Sequence, residues 1–343
     1  MAFEGVPEKM LAAQVIEPLP PSATPTPLVV AGIMGTPLPC TASHEGAGTI
    51  VAVGSRVSGF KPGDRILCSL TCHRCGVCTN CIGPEHEQKY CTNAGGHLEV
   101  MRHGSFAEYE VVDGRECSLL PHNVSFQSAA PLVCAGITIW GGLVRAGLKS
   151  GEWIAIVGAG GGLGHLGAQF AKAFGLNVIA IDARDEGLQL AKDCGADVLV
   201  DARQSKDKVV EDVQRVTGDQ GADSTLNVTD HESAAATAVA VTRRHGTMIQ
   251  IAQPENVSVP FAELIFRDIR IHGNLVGSRG EAQKMLELVS KHNIKVQTNP
   301  FKGLREIPKA VELAHSGKMK GKPVIVIDEK AIQNENQSGL QMI

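Results

Sequence analysis

The chain has 343 residues, 43% of them hydrophobic and 20% charged, with a formal net charge of −4. That length allows two domains with cores of their own, and the slightly acidic balance excludes nucleic acid and an anionic membrane as main partners. Aromatics make up 4% and glycines number 38, which suits an α/β protein rich in tight turns better than an all-β sandwich.

The first residues, MAFEGVPEKM, carry no basic segment followed by an apolar one, so no secretory signal is expected. No run of about 18 apolar residues occurs, so no membrane span is expected either, and the expected location is cytoplasmic. Residues 18–27, PLPPSATPTP, hold five prolines in ten positions and read as a loop or extended linker. From Thr49 the segments TIVAVG, GDRILCSL and SFAEYEVV read as short β-strands between turns.

A cysteine lobe interrupts these strands. Cys75, Cys78 and Cys81 are each separated by two residues, and Cys91 follows after nine more. A C-x-x-C turn presents two sulfurs to one point, so four thiolates at this spacing can surround one Zn²⁺ as a closed tetrahedron. With no position left for a substrate, the site reads as structural. Ten cysteines in a chain of this size without a signal point to metal binding in a reducing compartment rather than to disulfides.

From Trp153 the rhythm becomes strand, helix, strand. WIAIV is a continuous apolar run, and Leu163, Leu166, Gly167, Phe170, Ala171 and Phe174 then share one helical face. NVIAI, a helix over 185–194, and the strands VLVD, STLNV, TMIQI and DIRIHGN continue the alternation. Apolar strands alternating with helices predict a parallel sheet covered on both faces. The tail AIQNENQSGLQMI is polar and is expected to be mobile.

Gly158, Gly161, Gly162, Leu163 and Gly164 lie between the first of these strands and its helix. Glycines there let the backbone turn and approach a pyrophosphate, which the helix N-terminus then attracts. The next strand ends in Asp182, 18 residues after Gly164. A carboxylate at that point accepts from the adenosine ribose hydroxyls and repels a 2′-phosphate, which favours NAD over NADP. Arg184 close by weakens that preference. A glycine-rich turn without a ligand is the plainer alternative.

Residues 129–166, AAPLVCAGITIWGGLVRAGLKSGEWIAIVGAGGGLGHL, with SHEGAG at 43–48 and the cysteine lobe, closely resemble the zinc-containing alcohol dehydrogenases of the medium-chain dehydrogenase superfamily. GHLEVMRHGSFAEY and the nine-residue gap before Cys91 look most like the fungal branch. The resemblance covers roughly residues 30–328. It implies a GroES-like, mostly β catalytic domain (1–135 and 278–343, with the zinc lobe at about 72–95) and a Rossmann coenzyme domain (136–277). It also implies a second, catalytic zinc between them. His44 and Glu45 match the family's His-Glu pair, Cys134 its second cysteine, and Thr138 the threonine beside the nicotinamide. Such a zinc acts as a Lewis acid on an alcohol, which passes hydride to NAD⁺. Taken alone, a histidine before Glu-Gly is a surface or capped residue and a cysteine in an apolar run is a small core residue; only the agreement with the family lifts them above that.

One part of the family pattern is absent. The first catalytic cysteine, its proton-relay neighbour and the Asp that supports the zinc-bound histidine should lie well upstream of His44, yet Cys40 is the only cysteine before Ser43. The chain passes from the family's first strand into AGIMGTPLP, skipping several tens of residues and a core strand. Metal affinity should fall and the proton relay is lost. Cys40 reads as an incidental loop cysteine rather than a substitute ligand. Gly187 stands where the family often has a lysine near the ribose, and Lys320 and Lys322 where it often has arginines near the cofactor.

The leading expectation is therefore an NAD-dependent, zinc-containing alcohol dehydrogenase that converts an alcohol to an aldehyde or ketone, assembled as a dimer or tetramer. The alternatives are a catalytically silent NAD- and zinc-binding relative, and a zinc-free reductase of activated alkenes or quinones.

Overall fold

The computed structural model describes residues 10–12, the backbone of 14–15, residues 36–338 and residues 341–343. The proline-rich stretch 18–27 lies outside the described residues. The chain divides into two compact units, the first formed by 1–134, 277–293 and 298–343, the second by 135–276 and 294–297.

The second unit is built on one six-stranded parallel sheet. Its strands are β6 (Trp153–Val157), β7 (Asn177–Asp182), β8 (Val198–Asp201), β9 (Ala222–Asn227), β10 (Thr242–Gln250) and β11 (Arg270–Gly273), numbered after the five short strands that precede them in the first unit. The spatial order is β11-β10-β9-β6-β7-β8, so the order reverses between β6 and β9, and the loops after these two strands open the crevice where doubly wound sheets bind ligands. β6 and β7 are buried on both faces because every side chain in WIAIV and NVIAI is apolar or small apart from the ends. On one face Val209, Val213, Ala235, Ala238 and Val239 pack against Ala155, Ile179 and Met248. The expected helical face is buried too, with Leu166, Phe170 and Ala171 fully enclosed in helix Gly164–Ala173.

In the first unit the β1 (Gln14–Val15) and β2 (Cys40–Thr41) strands pair antiparallel, and β3 (Ala47–Thr49), β4 (Arg65–Leu67) and β5 (Ser118–Leu119) form a three-stranded antiparallel sheet. β12 (Thr298–Lys302) and β13 (Lys322–Val326) pair in parallel. The expected strand in GDRILCSL is present, but TIVAVG contributes only its first residue. Among the described residues SFAEYEVV forms no strand: its one ladder contact there is the Ala12–Ala107 bridge, and Val111 is 91% exposed. A strand exists only through a continuous ladder to its neighbour, and among the described residues the backbone bonds of this segment are split, Ser105 and Phe106 donating to Ser43 and Ala42 and Glu108 to Leu11.

The polar tail is also not as expected. Glu329–Gln337 is a helix capped by Asp328, whose carboxylate accepts from the Lys330 and Ala331 N–H groups at 3.0 and 3.1 Å. Glu335, 8% exposed, pairs with Arg65 and accepts from the Phe126 N–H at 3.1 Å. The Ile343 N–H donates to Asn123 O at 2.9 Å. A single buried ion pair and the last residue thus pin a segment whose composition signals only solvation.

Candidate active site

The four lobe cysteines converge. Helix Thr79–Ile82 follows Cys78 and carries Cys81 back toward it, while Gly76 turns the chain at φ +75°. Cys75 and Cys91 sulfurs lie 3.6 Å apart, Cys78 and Cys91 3.8 Å, and Cys75 and Cys81 4.0 Å. A tetrahedron of sulfurs about 2.3 Å from a central zinc has edges of about 3.8 Å, so the lobe has the dimensions of such a site. The Cys75 N–H points at Cys91 Sγ (3.4 Å) and the Cys78 N–H at Cys75 Sγ (3.3 Å), as donors that stabilise thiolates do. Backbone N–H groups, that of Cys81 first, draw the Cys78 thiol down to about 6, whereas desolvation pushes Cys81 up to about 12. Around the lobe, Arg74 pairs with Glu116 at 2.5 Å and bonds Gln88, whose amide donates to Cys81 O at 3.4 Å. These second contacts were not visible in the cysteine spacing.

His44 and Cys134 are brought near each other in the first unit, close enough for the thiol to act on the imidazole. The other ring contact is His44 Nδ1 to Glu99 Oε2, 2.5 Å. Burial alone would pull the imidazole down, but Cys134 and Glu99 beside the ring outweigh it and hold it well above its ordinary value. Glu45 is turned elsewhere, to Lys322 Nζ at 2.7 Å. Burial would likewise depress Lys322, and Glu45, followed by Cys134 and Glu99, more than offsets it. Among the described residues the lobe is the one group of three or more metal-ligating side chains close enough to share an ion; His44, Glu45 and Cys134 are not gathered as a trio. Cys40 is buried with its thiol on backbone carbonyls, 3.4 Å from Arg102 O and 3.6 Å from Glu99 O.

In the second unit the glycine turn has the expected place between β6 and its helix. Gly158 sits at φ +90°, and a Cβ on Gly164 would lie 2.3 Å from Gly158 O. Leu163 stands at the helix N-cap, and the Gly161 N–H donates to Gly158 O at 3.1 Å. Asp182, 5% exposed at the end of β7, accepts from the Gly160 N–H at 2.8 Å and from the Arg184 N–H at 3.0 Å. Gly160 and Gly187, absent from the expected set, are packed so closely that a Cβ on Gly160 would fall 2.0 Å from Gly187 Cα. The fully buried His165 closes the turn, with Nδ1 3.0 Å from Gly161 O and Nε2 accepting from the Gln297 N–H at 3.1 Å. Thr138, 8% exposed on helix Ala135–Ala146, gives its carbonyl to Asn274 Nδ2 at 3.0 Å.

Residues 23–122 match the alcohol dehydrogenase GroES-like domain, and residues 162–291 match the zinc-binding dehydrogenase family. The alcohol dehydrogenase of Geobacillus stearothermophilus is 33% identical over 295 residues, which span 85% of this chain and 84% of that one. The chain belongs to the zinc-containing alcohol dehydrogenase family. Alcohol dehydrogenase 1 of Emericella nidulans is 34% identical over 297 residues, 85% of this chain and 83% of the relative. The alcohol dehydrogenase structure from Aeropyrum pernix superposes with a TM-score of 0.78 at 28% identity, covering 86% of this chain and 85% of that one. The fold is thus the family's α/β combination of a GroES-like domain and a Rossmann coenzyme domain.

Proposed function

We propose that this family member is an NAD-dependent alcohol dehydrogenase acting on a small alcohol, aldehyde or ketone. The observation that carries the reading is the Asp182 carboxylate fixed at the glycine turn by the Gly160 N–H, because a fixed anion there suits ribose hydroxyls and opposes a 2′-phosphate. The lobe of Cys75, Cys78, Cys81 and Cys91 would hold a structural zinc, which its sulfur spacings fit. A second zinc would take His44 and Cys134, with Glu45 as the neighbouring carboxylate. An imidazole and a thiol are the donor types zinc prefers. When bound, that zinc supplies Lewis acidity to a substrate oxygen, and NAD⁺ supplies the hydride acceptor.

The chain's own residues divide the work. Gly162, Leu163 and Gly164 would offer backbone N–H groups to the pyrophosphate, Gly158 and Gly161, whose N–H groups go to Ile181 O and Gly158 O, would shape the turn, and Thr138 would position the nicotinamide. Glu99 holds His44, and Lys322 holds Glu45. The exposed Phe261, Ile265 and Phe266 near the edge strand β11 favour a homo-oligomer built on the second unit. None of the ten cysteines is in a disulfide, which suits a cytoplasmic location, and among the described residues no single helix is long and apolar enough to cross a membrane.

The test is alcohol-dependent NADH formation by the purified chain, abolished by a chelator, together with about two zinc ions per chain, one for each site. A second reading, a silent relative that binds NAD without turnover, is favoured by Glu45 being engaged by Lys322 rather than by a metal trio. One zinc per chain with NAD binding and no turnover would decide for it.

A further inference from the structure

Glu99 is a strained and buried acid. It lies at φ +66° in the turn His97–Met101, where the Met101 N–H donates to His97 O at 2.9 Å. For a residue other than glycine that backbone costs on the order of 1 kcal/mol. Leu98 and Val100 on either side are buried and wedge the turn in place. The Glu99 residue is 5% exposed, and its Oε1 is buried with no hydrogen-bond partner among the described residues. Its Oε2 has one hydrogen-bond partner, His44 Nδ1 at 2.5 Å. Neither cost serves the core, since an apolar side chain would fill the same space without a buried charge.

The two nitrogens of an imidazole face away from each other. A carboxylate on Nδ1 fixes the proton there, sets the ring plane, and leaves Nε2 as the donor for a metal. In the family this task falls to an Asp in the upstream run that this chain lacks. Glu99 comes from a different segment, 55 residues after His44.

We propose that Glu99 is the positioning residue of the His44 metal site, its carboxylate locking the ring so that Nε2 is the metal donor. The inference rests on the reading of His44 as a zinc ligand, and its test separates the two. Zinc is measured per chain for the full-length protein and for Glu99→Leu and Glu99→Gln after equilibration against graded chelator. The lobe zinc reports that each variant is folded. In the wild type the second zinc is present. Glu99→Leu should bind it about 10- to 100-fold more weakly, and Glu99→Gln, which keeps an acceptor for Nδ1–H, should recover part of the loss. Equal affinity in Glu99→Leu and wild type overturns the role of Glu99 while leaving the metal site standing. A wild type with the lobe zinc alone overturns both. If Glu99→Leu does not fold, the ¹⁵N shifts of His44 in the zinc-loaded wild type decide: metal on Nε2 with a proton on Nδ1 supports the proposal, and metal on Nδ1 overturns it.

Discussion

Replacing Gly187 by alanine sets two effects of opposite sign against each other. Gly187 lies in the first turn of helix Asp185–Asp193, where alanine is intrinsically better by up to about 1 kcal/mol. A Cβ at that position would stand 2.4 Å from Asp182 Oδ1 and 2.6 Å from its Cγ. The carboxylate would have to retreat by roughly an ångström to reach ordinary contact, and the 2.8 Å bond from the Gly160 N–H would break. A hydrogen bond to a charged group is worth about 1.5–3 kcal/mol, and here the N–H left behind is buried. The net expectation is a loss of about 1–2 kcal/mol, which at about 2–4 °C per kcal/mol for a domain of this size lowers Tm by about 2–8 °C. NADH affinity, read by fluorescence titration, should fall about tenfold, equivalent to about 1.4 kcal/mol, as the ribose acceptor moves. A Gly187→Ala protein more stable than wild type, with unchanged NADH affinity, would refute the reasoning, because the propensity gain alone would then be operating.

Three further outcomes are expected. Cys78→Ser or Cys91→Ser should remove one zinc per chain by elemental analysis and lower the unfolding midpoint, since ligands of a closed site contribute to folding directly. Asp182→Asn should weaken NAD binding and reduce the discrimination between NAD and NADP, measured as the ratio of the two Kd values. Burial raises the Glu110 carboxyl to about 7, against opposing bonds from Ser105 and Cys68. An acid whose folded value lies above its unfolded one stabilises the fold at low pH and loses that contribution as pH rises from about 4.5 to about 7. The change is at most about 3.5 kcal/mol at about 1.4 kcal/mol per unit. Urea midpoints across this range should fall with pH in the wild type and change less in Glu110→Gln.

What the sequence made legible is what is encoded within a short stretch. The four lobe cysteines lie within one turn-rich segment, and the glycines between β6 and its helix need only local backbone geometry to present their N–H groups. Apolar runs such as WIAIV and NVIAI announce buried parallel strands because both faces must be covered. The failures share one cause. SFAEYEVV has the alternation of a strand, yet among the described residues its backbone bonds are split among Leu11, Ala42 and Ser43 and form no ladder, and the tail has the composition of solvated chain yet contains Glu335, whose partner Arg65 lies 270 residues away.

The same division runs through the candidate site and explains its odd chemistry. His44 and Cys134 are recognisable because each sits in a local motif, but what holds them is long-range: Glu99 on the imidazole and Lys322 on Glu45. Uncompensated buried charge costs several kcal/mol, so the carboxylates and imidazole here need counter-charges close by. Lys322 supplies a positive charge to Glu45, and its charge also acts on Cys134 and Glu99. A zinc entering beside His44 and Cys134 therefore has to compete with that ammonium for the same negative charge. Lys322→Met should then tighten binding of the second zinc while leaving the lobe zinc unchanged. Weaker binding in that variant would mean that Lys322 organises Glu45 for the metal instead of opposing it.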